Sequence, residues 1–334
     1  MKLFLTGTIL IVSLIIGSYF YDKKTNDELK ESFSLNLKDW FNKGNYYIYK
    51  DIHKIFYIQE YLNDESNEHE LPSIVLLHGF PTSSYDYHKL WNLLRQEKNI
   101  KSIITFDYLG YGFSDKPLNY EYSIFDMADM VDKILMKLNV QSVYLIAHDV
   151  GDTVAQELIR RDNLLNQNHF KILKLVLLNG GIFSDSYKPV ITQEILRTKY
   201  LNKITSKYFF KHLFFKYSFS KVFGSLSPPT HVDLLDFFNS IRYNDGNLVL
   251  PLTIEYMNER TQYNDVWLDA LNETMVPTLF IYGPADPINM RSKFPQKIRT
   301  ELPNVKLNIL SDLVGHYPQY EDAFTVFELI KNFF

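Results

Sequence analysis

The pentapeptide AHDVG, Ala147 to Gly151, sets a carboxylate between two small residues. It follows an apolar run holding Val143, Leu145 and Ile146 and precedes a helix-like stretch, DTVAQELIRR. A strand that passes through small-x-nucleophile-x-small into a helix forces the central residue to the top of a tight turn, exposed at the carboxyl end of the strand. Asp149 in that position can attack a carbon. The plain alternative is that it caps the following helix, a contribution of about 1 kcal/mol. Three other features bear on the choice. LLHGFP carries His78, Gly79, Phe80 and Pro81 after an earlier apolar run, so the backbone N–H groups of Phe80 and Val150 can converge on one oxygen and stabilise charge there. IYGPADPIN puts Asp286 just past a strand-like run, and LVGHYPQYED puts His316 in a loop before the last helix-like stretch. Singly, an aspartate at a strand end is a common turn residue and a lone histidine is often structural. In the order nucleophile, acid, histidine they describe a triad in which His316, oriented by Asp286, activates water.

The elements that must position these residues are legible as period and punctuation. SIVLLHG, KSIITFDYLG, QSVYLIAHD and KILKLVLLNG are short, mostly apolar strands separated by stretches long enough for helices, the pattern of an α/β chain whose parallel sheet is covered on both faces. NYYIYKDIHKIFYIQEY reads as two β-rich runs hinged near Asp51, and the acidic NDESNEHE after it as a solvated loop. The alternation stops after Gly180 and returns with VPTLFIYG and NVKLNILSD before an amphipathic EDAFTVFELIKNFF, so the interruption reads as an insertion. No repeat of solenoid period is present. A length of 334 residues suits about two domains or one core with an insertion. A net charge of -4 gives no reason to expect a nucleic-acid partner. With no cysteine there is no disulfide, thiolate nucleophile or thiolate metal site, and the nine histidines show no HExxH spacing, so neither metal nor cofactor is expected.

Together these residues resemble the α/β-hydrolase superfamily, in the branch of epoxide hydrolases and haloalkane dehalogenases, which use an aspartate nucleophile. LLHGFPTSSYDY, FDYLGYGFSDKP, YSIFD, HDVGDTVAQEL, NGGIF, NDGNLV, IYGPADPIN and GHYPQYED carry the likeness, from about Trp40 to Phe334. Together these segments look like a membrane-associated member of that branch. The resemblance implies a mostly parallel eight-stranded sheet with helices on both faces, divided into core at 40–182 and 273–334 and a helical cap at 183–272. It also implies the triad Asp149, Asp286 and His316, and association with the endoplasmic reticulum membrane. A carboxylate, unlike a serine alkoxide aimed at acyl carbon, displaces a leaving group at tetrahedral carbon and forms an alkyl ester on the enzyme. Epoxide opening further needs an acid for the departing oxygen. In epoxide hydrolases cap tyrosines supply it, and EYMNER nominates Tyr256, set against a core or surface role, with Tyr187 and Tyr200 as candidates for the second. His148, typical of this branch, is carried with Tyr256 as a substrate contact that packs and hydrogen-bonds. Relatives that stabilise halide have tryptophan after the nucleophile and often asparagine after the HG pair, where this chain has Val150 and Phe80, so dehalogenation is not expected. Asp152 also replaces a commoner small residue.

Leu3 to Tyr21 is uncharged and near the roughly 20 residues that cross a bilayer as a helix. Residues 1–24 are therefore read as a single N-terminal membrane anchor, with a cleaved signal as the alternative. Within the insertion, Lys203, Lys207, Lys211, Lys216 and Lys221 alternate with phenylalanines, and no acid occurs between Glu194 and Asp233. This face either lies on an anionic membrane or is an ordinary solvated cap surface. The expected partner is a small-molecule or lipid substrate, and the expected activity is hydrolysis of an apolar epoxide or related electrophile. The alternative is a non-catalytic binding or scaffold protein that keeps the fold. The complete set of three residues favours the enzyme. Ester hydrolysis fits poorly without serine at the turn, since Ser114 in GFSDKP lies in another loop without small flanking residues.

Overall fold

The computed structural model describes residues 24–62, 71–162, 167–198, 202–289, 291 and 293–334. Its centre is an eight-stranded sheet in the order β1-β2-β4-β3-β5-β6-β7-β8. β1 (Asn45–Tyr49) and β2 (His53–Tyr61) form a hairpin through Lys50 and Asp51, both at positive φ, and β2 pairs antiparallel with β4 (Ser102–Phe106). The other pairings, through β3 (Ser73–Leu77), β5 (Ser142–His148), β6 (Lys171–Leu178), β7 (Thr278–Tyr282) and β8 (Lys306–Ile309), are parallel. Every residue of β3, β4 and β7 is buried. Successive side chains of a strand point to opposite faces, so burial of every position means that both faces are covered. Helices Ile124–Lys137 and Val150–Arg160 pack together, and His88–Leu94 packs with Ala323–Phe333.

Parallel strands share one carboxyl edge, and the topology brings the chemistry there. His78 to Phe80 follow β3, Asp149 follows β5, Asn179 follows β6, Asp286 follows β7 and His316 lies in the loop beyond β8. Between β6 and β7 the described residues hold helices, including Ile191–Arg197, His212–Phe219, His231–Arg242 and Tyr256–Glu273.

One expectation is corrected, and one stretch outside the strand pattern takes form. The polar stretch before Trp40 is helical, at Asn26–Glu31 and Leu35–Lys43, because Thr25 and Glu28 form a capping box and Ser34 caps the second helix. The stretch docks on His231–Arg242, where Asp236 accepts the N–H of Ser34 at 3.0 Å as well as its hydroxyl. The single N-terminal transmembrane helix, and the membrane localisation built on it, is not supported, since among the described residues no helix is long and apolar enough to cross a membrane. Leu3 to Tyr21, on which it rested, lie outside the described residues, as does Tyr200.

Candidate active site

Asp149 has φ 51° and ψ -107°, a left-handed conformation that costs a non-glycine residue about 1–3 kcal/mol. It persists because the surroundings over-determine it. A Cβ on Gly151 would lie 2.3 Å from the Leu77 carbonyl oxygen, and one on Gly79 would lie 2.7 Å from the Asp149 Cβ, so both positions need a residue without a side chain. Although Asp149 opens the helix Val150–Arg160, its side chain makes no capping hydrogen bond. Instead its Oδ2 accepts the Phe80 N–H at 2.9 Å. The capping alternative therefore fails on geometry. Oδ2 sits where charge is stabilised by an amide, and Oδ1 is left for other work.

His316 is buried, with Nδ1 2.9 Å from Asp286 Oδ2. A carboxylate only accepts, so Nδ1 carries the proton and Nε2 keeps its lone pair. Asp286 is held in turn. Asn179 Nδ2 and Asn289 Nδ2 donate to Oδ2 at 3.0 and 2.9 Å, and the Ile288 N–H donates to Oδ1 at 2.8 Å. Burial pushes the His316 pKa down, but Asp286, by charge and hydrogen bond, and the charges of Asp149 and Glu321 outweigh it, and the net shift is upward. His148 is buried and neutral, its pKa held well below the ordinary range by burial and by His316. Its Nε2–H donates to the His316 carbonyl at 2.8 Å, tying the end of β5 to the histidine loop.

Sequence reasoning missed Arg260. From helix Tyr256–Glu273 it reaches the turn, donating to the Thr153 hydroxyl at 3.0 Å and the Asp149 carbonyl at 3.3 Å, with Nη2 3.8 Å from Asp149 Oδ1. Its guanidinium also lies 4.9 Å from the Tyr256 ring centroid and 5.5 Å from that of Tyr187. Burial raises both phenol pKa values, Asp149 raises them further, and Arg260 opposes. Tyr187 also pairs through its backbone with Asn289. Arg260 ends the EYMNER segment, where the sequence reading takes up the tyrosine and not the arginine. Asn179 and Asn289 also had a signal, since each lies in a segment that carries the family likeness. Asp152 is fully buried, and burial holds its carboxyl well above the ordinary range, so it adds no second charge behind the turn.

A cavity of about 130 Å³ opens beside these groups. Phe80, Pro81, Ile288, His316 and Tyr317 line it from the core, and Leu196, Phe215, Phe219, Val222 and Leu250 from the helical insert. Its wall is mainly apolar, with Thr192, Gln193, Thr205, Ser206 and Ser218 as polar members beside His316. Among the described residues no cluster of histidine and carboxylate side chains can hold a metal ion.

The family model described as alpha/beta hydrolase fold matches residues 72–323. The chain belongs to the α/β-hydrolase fold family. Within that family the hydrolase is 39% identical over 289 residues to the mesoderm-specific transcript homolog protein of Bos taurus, covering 86% of this chain and 84% of the relative. The Homo sapiens protein of the same name matches at 39% over 290 residues, with the same coverage. Among solved structures, the haloalkane dehalogenase DatA from Agrobacterium tumefaciens C58 superposes with a TM-score of 0.68 over 87% of this chain and 96% of that one. At 18% identity that likeness speaks for the fold alone.

Proposed function

We propose that the chain is a hydrolase that opens an epoxide or related electrophile on an apolar small molecule through an alkyl ester of Asp149, with 183–272 as its cap and 40–182 and 273–334 as its core. The observation that carries this reading is the Asp149 carboxylate, which leaves its own helix uncapped and gives Oδ2 to the Phe80 N–H. Oδ1 attacks the ring carbon, and the C–O bond breaks toward the ring oxygen. That oxygen takes a proton from a phenol, Tyr256 or its neighbour Tyr187. His316 Nε2 then removes a proton from water, and the hydroxide attacks Cγ of the ester. The negative charge falls on Oδ2, against the Phe80 N–H and beside the Val150 N–H that begins the helix. Collapse expels the alkoxide, which recovers the proton from His316, and the Asp149 carboxylic acid left by the hydroxide returns its proton to the phenolate. The apolar cavity suits a substrate that brings little charge with it.

A single turnover on an aryl epoxide in oxygen-18 water is expected to leave label in the Asp149 carboxylate, because water attacks the ester carbonyl rather than the substrate carbon. Label in product alone would overturn the reading. The His316→Gln variant is expected to accumulate protein heavier by one substrate mass, since attack proceeds while water activation fails.

A further inference from the structure

One buried carboxylate beside the site has no part in the reaction as written. Glu321 closes the short helix Pro318–Glu321 and spends both oxygens on backbone. Its Oε2 accepts the N–H groups of Gly315 at 2.8 Å and Gly224 at 2.7 Å, and its Oε1 accepts that of Tyr317 at 3.0 Å. Gly315 and Tyr317 flank His316, whereas Gly224 belongs to the helical insert. The seam continues on either side, with the His316 N–H donating to the Val222 carbonyl at 2.9 Å and the Leu226 N–H to the Leu313 carbonyl at 3.0 Å. Two glycines let the backbones approach this closely. A Cβ on Gly224 would lie 2.0 Å from the Leu313 carbonyl oxygen, and one on Gly315 would lie 2.4 Å from the Gly224 nitrogen. Phe223 stacks on Tyr317 with centroids 4.8 Å apart, and Val222 lines the cavity.

We propose that Glu321 is a positioning residue for His316. By gripping the amides on both sides of the imidazole and one amide of the insert, it locks the base and the adjoining cavity wall into one body. This rests on His316 being the base of the proposed reaction. The ionisable groups facing the imidazole are Asp286 beyond β7, Asp149 at the turn after β5, His148 at the end of β5, held neutral, and, on its own segment, Glu321 and the Tyr317 phenol, whose pKa burial pushes up. Removing the Glu321 charge therefore changes the base's titration, which a purely structural contact would not do.

The test uses the full chain with Glu321→Gln and Glu321→Asp. Nitrogen-15 NMR follows the His316 imidazole, assigned with His316→Gln, and intact mass follows formation and decay of the Asp149 ester with an aryl epoxide. Glu321→Gln has a single acceptor oxygen and no charge, so the His316 midpoint is expected to fall. Ester decay is expected to slow by about 10-fold or more while ester formation stays near wild type. Glu321→Asp keeps the charge on a shorter arm, so it should hold the midpoint and still slow decay. An unchanged midpoint in Glu321→Gln, or wild-type decay in a folded Glu321→Asp, overturns the proposal. If the epoxide labels neither wild type nor His316→Gln, the reaction itself is wrong, and the midpoint still decides whether Glu321 sets the environment of His316.

Discussion

Asp149 and Asp152 lie within one turn of the same chain and show how surroundings divide carboxylates into different chemical roles. Asp149 faces the Phe80 amide and the Arg260 guanidinium, whereas Asp152 is sealed behind the turn with one oxygen facing the Leu178 N–H at 3.4 Å and the other without a hydrogen-bond partner. Burial raises the Asp152 pKa in the folded protein, so folding favours its protonated form. The sign follows directly. Below the unfolded value of about 3.9 the group is neutral in both states, and above it the unfolded chain gains by ionising, so stability falls as pH rises toward the folded pKa. Asp152→Asn removes that fall. Denaturant titrations at pH 5 and pH 7 should show a smaller pH-dependent loss in the variant than in wild type. Asp149→Asn should abolish ester formation.

At the scale of elements, the helix Tyr256–Glu273 joins the insert to the helix that follows Asp149. Glu157 on Val150–Arg160 accepts the Trp267 indole N–H at 2.9 Å and the guanidinium groups of Arg160 and Arg161 at 2.8 Å. Burial would raise its pKa, but these donors prevail and hold it low. Arg260 lies two turns before Trp267 on the same helix, so this anchor and the Asp149 contact belong to one rigid piece. Trp267→Phe removes a donor and part of a buried ring while the two arginines still satisfy Glu157. The expected cost is about 2 kcal/mol by chemical denaturation. Ester formation should slow as well, because a shifted helix withdraws Arg260 from the turn. Lost stability with unaltered ester formation would show that the two contacts are not coupled.

For the molecule as a whole, the cavity is a joint product of the core and the helical insert, which determines how its size can be changed. Leu196 is half-buried in the wall contributed by Ile191–Arg197 and packs against the core. A larger side chain there projects into existing space rather than into a filled core. Leu196→Trp should therefore change stability by less than about 1.5 kcal/mol. Its effect should appear in specificity, with kcat/KM falling more for long alkyl epoxides than for short ones in a chain-length series. An equal loss across the series would place the substrate elsewhere.

By itself the sequence determined the alternating strands, the interruption after Gly180, and the order Asp149, Asp286, His316 behind an HG loop. These are carried by short-range signals: apolar runs, small residues where backbones meet, and turn residues at strand ends. The need for Gly151 was visible in the same way, because a tight strand-to-helix turn demands it wherever it occurs. Only the tertiary structure decided whether Asp149 caps its helix, since that depends on the Phe80 amide brought from β3. It also supplied the partners of Arg260, Asn179 and Glu321, each distant in sequence or belonging to the backbone, and showed that the stretch before Trp40 is helical and docked through Ser34 on Asp236. Such pairings leave no period and no spacing in the chain. They exist because a parallel sheet gathers the ends of its strands along one edge and the insert folds back over it, and only that convergence sets which buried groups become each other's surroundings.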